Sequence, residues 1–161
     1  MKYFYALLLL LQPALSFSAS STCPQVSDYS CLVKNSIQVY REDPDQWFKI
    51  YNYTASKALK CTDIKDVTLF LRLWLGVTDG EMSEGLVGDS QEILTKNNQC
   101  FFEGLLGMSD NDRAKFIARF DVLSDDEQIL INALKEAMNN PRYKSIARKM
   151  LNLAERRQKN G

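Results

Sequence analysis

Thr62–Thr78 reads TDIKDVTLFLRLWLGVT and is the most apolar run beyond the first twenty residues of the chain. Val67, Leu69, Phe70, Leu71, Leu73, Trp74, Leu75 and Val77 are interrupted only by Thr68, Arg72 and Gly76, which leaves no polar face for water. The odd positions from Val67 to Val77 are all apolar, and a half-buried strand would read the same way. Composition favours a helix: from Leu69 to Leu75 the run is Leu-rich rather than β-branched, Thr62 or Asp63 can cap a start, and Gly76 can supply an end. No second convincing strand offers itself as a partner. The stretch is therefore expected to be a buried central helix, with Arg72 in a structural ion pair or snorkelling to the surface.

Upstream, a helix is expected from about Asp28 to Arg41, with Leu32, Val33, Ile37 and Tyr40 on one side. Asp43 can cap a second helix, with Pro44 at its first position and Gln46 placed to complete a capping box. Its stripe of Trp47, Ile50, Tyr51, Ala55, Ala58 and Leu59 ends near Cys61, so the two helices form an αα-hairpin. Residues equidistant from such a turn lie side by side. Four cysteines allow three pairings, and this geometry favours Cys23 with Cys61, leaving Cys31 with Cys100.

Downstream, Gly76, Gly80, Gly85 and Gly88 are four of the seven glycines and alternate with Asp79, Glu81, Glu84 and Asp89. Thr78 and Glu81 could form a capping box for a helix through Leu86, Val87, Ile93 and Leu94. Gly85 and Gly88 would each weaken it by about 1 kcal/mol against alanine, so Asp79 to Asp89 is also read as an adaptable acidic loop. A short apolar helix, Cys100 to Leu106, follows. Ser109 and Ser124 then cap helices, and Asn140-Pro141 opens the last one. The expected fold is all-α, an irregular helical bundle or short α-solenoid of about six to seven helices with two disulfides.

Residues 1–20 carry Lys2 as their only charge, then an apolar core, then small residues. They are expected to be a secretory signal peptide, leaving residues 21–161 as a single helical domain. An even number of cysteines suits that oxidising destination. Residues 62–127 hold fourteen acidic and six basic side chains, whereas residues 128–161 hold two acidic and eight basic. The molecule should be bipolar. Nucleic acid is not an expected partner, nor is membrane insertion, since no further run is long enough to span a bilayer.

The chain has no histidine, which removes the usual general base and the usual histidine-bearing zinc sites. The acids near Ser109 and Ser124 sit where helix N-termini favour negative charge, and Ser109-Asp110-Asn111-Asp112 lacks the later glutamate of a calcium loop. No catalytic residue, metal ligand or cofactor is expected, and the chain is read as a non-enzyme. Asn52-Tyr53-Thr54 matches a glycosylation sequon but falls mid-helix.

In layout across residues 21–161, the chain resembles the small all-helical periplasmic immunity proteins that antagonise type VI secretion toxins. The resemblance implies a periplasmic protein that binds and inhibits a cognate cell-wall or lipid hydrolase, and it leaves a homodimer open. Asp79, Glu81, Glu84 and Asp89 are the expected contact residues for a basic enzyme cleft. Two other classes remain. Trp47, Tyr51, Phe70 and Trp74 could line the cavity of an apolar-ligand carrier, and the tail from Arg142 to Lys159 could serve an envelope scaffold.

Overall fold

Asp43, Asp63, Asn97 and Ser109 each stand one residue before a helix and accept a hydrogen bond from a backbone amide inside it, at 2.9, 2.9, 3.1 and 3.1 Å. Such caps satisfy donors that a helix start leaves open. In the computed structural model, which describes residues 29–76, 80–120 and 127–158, the chain opens with α1 (Tyr29–Glu42), α2 (Pro44–Lys60), α3 (Ile64–Arg72) and α4 (Gly80–Lys96), Asp43 marking the start of α2 and Asp63 that of α3. The chain continues as α5 (Asn98–Leu106), α6 (Asp110–Arg119), α7 (Glu127–Ala137) and α8 (Lys144–Gln158). Among the described residues the fold is all-helical. Eight α-helices are present among the described residues, against the six to seven expected. The expected signal peptide, Cys23, Asp79 and the expected cap at Ser124 lie outside the described residues.

Within the Thr62–Thr78 stretch, Ile64–Leu75 is helical and central, but not uniform. It is α-helical to Arg72 and tightens into a 3-10 turn at Leu73–Leu75. Val67, Phe70, Leu71 and Leu73 are fully buried, and α3 touches α1, α2, α5 and α6. Arg72 reaches Asp112 of α6 at 3.7 Å, as a structural ion pair.

The approach of α3 to α5 is unusually close. A Cβ on Gly104 would lie 2.5 Å from Val67 Cγ1, and one on Gly107 would lie 2.4 Å from Thr68 Oγ1. Thr68 Oγ1 also donates to the Gly104 carbonyl at 3.0 Å. At the start of the same crossing, Cys61 ends α2 in the left-handed conformation, φ 50°, and its side chain bonds Cys100 in the first turn of α5, Cα to Cα 6.2 Å. This pairing overturns both expected ones, Cys23–Cys61 and Cys31–Cys100. The hairpin argument considered only α1 and α2, whereas the turn at Cys61 points the end of α2 toward α5. Cys31 is not free either.

α1 is broken at Asn35 (φ −122°, ψ 22°), whose side-chain amide donates to the Cys31 carbonyl at 3.2 Å. Directly after the break, buried Ser36 accepts the Trp47 indole N–H at 2.9 Å. The second tryptophan behaves alike: Trp74 donates to buried Ser90 of α4 at 2.9 Å, while Arg119 donates to the Trp74 carbonyl at 2.7 Å. Buried indole N–H groups need such partners. At the far end, Glu103 of α5 holds both Arg142 (2.5 and 3.1 Å) and Tyr143 (2.6 Å), and Tyr143 stacks on Phe102. Asn140 and Pro141 thus begin a turn that leads into α8 rather than its first residues.

Two substitutions test this arrangement. Gly104→Ala raises helix propensity yet should destabilise the protein by about 1–3 kcal/mol through overpacking against Val67, measured by urea unfolding. Replacing Cys61 and Cys100 together by serine opens a loop of sequence separation 39. That should lower stability by about 4 kcal/mol in the chain-entropy picture, read as a fall in Tm.

Candidate partner-binding site

The four acids expected to face a partner fall on or beside α4. Gly80 to Asp89 is helical, so the adaptable-loop reading of that part is overturned. The cause lies on the inner face, where Met82, Leu86, Val87, Ile93 and Leu94 are buried. Burying a side chain of this size stabilises by about 1.5–3 kcal/mol, which outweighs the propensity penalty of Gly85 and Gly88. Glu81 lies in the first turn of α4 and Glu84 is exposed on the second.

Asp89 also makes a contact inside the fold. Its carboxylate accepts a short hydrogen bond from the Tyr51 hydroxyl of α2, across 38 residues of sequence. Gly85 sits over the same hydroxyl, with its Cβ position 3.2 Å from Tyr51 Oη. One turn further, Ser90 takes the Trp74 indole proton. α4 is therefore pinned to α2 and to the central segment by two adjacent polar contacts, while Gly80, Glu84, Gly85 and, in part, Gly88 and Glu92 face outward. Glu92 pairs with Lys96 one turn along the helix. The result is a stiff edge on which, among the described residues, Glu84 is an exposed carboxylate with no ion pair and has small residues on either side of it. Nothing obstructs the space above Gly80 and Gly88, so a partner can approach the backbone closely there.

Tyr51 was expected only as a core or cavity ring. Its role as the anchor of Asp89 left no trace in the sequence, because the two residues meet only in the tertiary fold. Trp47, Tyr51, Phe70 and Trp74, the candidate cavity lining, pack on aromatic neighbours: Trp47 stacks on Tyr51 at 5.1 Å, Tyr51 leans on Phe70 at 6.1 Å, and Trp74 meets Phe116 edge-on at 5.5 Å. Among the described residues, no group of three or more acidic or cysteine side chains could hold a metal ion, and no helix is long and apolar enough to cross a membrane.

Burial first, then the hydrogen bond to Asp89 and its charge, raise the Tyr51 phenol well above its ordinary value of 10.0. The folded state thus favours the neutral phenol. Its stabilisation is complete below about pH 10 and is lost as pH rises further, since the unfolded chain ionises first. Tyr143 is raised too, by burial and then by Glu103, so it adds to the same alkaline loss. Tyr51→Phe should cost about 1 kcal/mol at neutral pH and flatten the fall in stability above about pH 10, measured by denaturant unfolding across that range. Comparisons with protein-family models, with curated proteins and with solved structures find no match, so this edge of α4 is read from its own residues.

Proposed function

We propose that the chain is a periplasmic immunity protein that binds a cognate secreted antibacterial toxin, a cell-wall or lipid hydrolase, and blocks its substrate cleft. The observation that carries the reading is the outer edge of α4: exposed Glu84 between glycines, on a helix fixed by the Tyr51–Asp89 and Trp74–Ser90 contacts. A preorganised edge loses little conformational freedom on binding, and its charge speeds encounter with a basic cleft. Glycine at the edge lets the partner close in on the helix backbone. Asp89 contributes by holding α4 in place.

The test is co-purification with the product of the adjacent gene, followed by an inhibition assay on that enzyme. Reversal of two acids near the start of α4, Glu81→Lys with Glu84→Lys, should weaken inhibition by roughly tenfold while circular dichroism is unchanged. Full inhibition by the doubly reversed protein removes the α4 edge from the account, and an adjacent product that neither binds nor is inhibited removes the immunity reading altogether.

A further inference from the structure

α8 turns its apolar stripe inward: Ile146, Ala147, Met150, Leu151 and Ala154 are buried. The opposite face carries Lys144, Arg148, Asn152 and Arg156 at four-residue intervals, with Lys149 beside them, all exposed. None of these four cations has a carboxylate within ion-pair distance among the described residues. Arg142, just ahead of the helix, is by contrast held by Glu103. Glu155 is the one acid on α8, and it is half-buried. A row of unpaired cations on a helix that is otherwise well packed is an electrostatic surplus with no internal use.

The row is also shaped. A groove of about 450 Å³ runs past Pro141, Lys144 and Arg148, and a second of about 410 Å³ lies between α8 and α6; the two share Lys149 and Asn152. In the second groove Ile117 and Leu153 line the walls together with Ala114 and Ala118, and Lys149 and Arg156 form the rim. Apolar walls under a cationic rim are complementary to an amphipathic segment whose polar face is acidic.

We propose that the trough along α8 and α6 docks an acidic amphipathic helix from a protein partner. Its apolar side chains would enter between Ile117 and Leu153, and its carboxylates would meet Arg148, Lys149 and Arg156. α8 spans fifteen residues, about 22 Å at the usual helical rise, so the trough accommodates about four turns of the incoming helix. An anionic membrane fits the face less well. Interfacial helices insert apolar side chains that stand out from the polar surface, whereas Ile117 and Leu153 are half-buried and the exposed face of α8 is polar. The trough lies on elements other than α4, so this inference does not depend on the α4 edge.

The probe is a synthetic helical peptide of about 15 residues, leucine at helical spacing and glutamate elsewhere, titrated into isotopically labelled full chain and followed by amide chemical shifts. A lysine counterpart of the peptide and anionic phospholipid vesicles serve as comparisons. Binding of the acidic peptide alone is expected, with shifts confined to α6 and α8. Affinity should fall about tenfold in Arg148→Glu with Lys149→Glu, and again on raising salt to about 0.5 M. Both positions are exposed, so the variant should keep its native spectrum. No saturable binding, equal binding of the lysine peptide, shifts elsewhere, indifference to the reversal, or preference for vesicles would each overturn the proposal.

Discussion

The closeness of α3 and α5 is the constraint on which the other contacts depend. Two glycines, Gly104 and Gly107, leave room for Val67 and Thr68 where a Cβ could not fit, and the Thr68 hydroxyl bonds the backbone it crosses. With the two helices this near, Phe101, Phe102 and Leu105 sit fully buried along α5. The other helices then have a fixed wall to pack on: α4 and α7 lean on α5, α2 and α6 on α3. Cys61–Cys100 fastens one end of this crossing, and Glu103 with Arg142 and Tyr143 fastens α5 to the turn before α8. Dispersion and burial do most of the work, but they do so only because small residues let the backbones approach.

Local chemistry was readable and tertiary choice was not. Asp43, Asp63 and Ser109 cap helices as their side chains suggest, because a cap depends on residues within one turn. The apolar run at 62–78 declared a buried helix, though not its tightening after Arg72. Cystine pairing depends on where the end of α2 is aimed, which no local pattern encodes. The glycine-rich segment was ambiguous because propensity argues for a loop and the inner apolar stripe for a helix; burial decides it. Asp89 looked like a free surface acid, and its Tyr51 partner lies too far along the chain to be inferred. The basic excess of residues 128–161 was legible as a charge count, yet the lack of carboxylate partners for Lys144, Arg148, Lys149 and Arg156 among the described residues emerges only from the fold.

Charge is distributed with the architecture rather than spread over it. α4 presents Glu84 on one edge, and α8 presents Lys144, Arg148, Lys149 and Arg156 on another, with α7 in contact with both helices. A body with oppositely charged edges can orient a charged partner before contact, and long-range steering of this kind fades as salt screens it.

The two tryptophans share a design with an optical consequence. Each buries its ring and gives its indole proton to a serine on a different helix, Trp47 to Ser36 of α1 and Trp74 to Ser90 of α4. One therefore reports on the N-terminal hairpin and the other on the junction of the 3-10 turn with α4 and α6. Both should emit at short wavelength while the helices remain docked, each through a single fixed indole hydrogen bond. A chain carrying only one of the two would reveal which half of the molecule lets water in first.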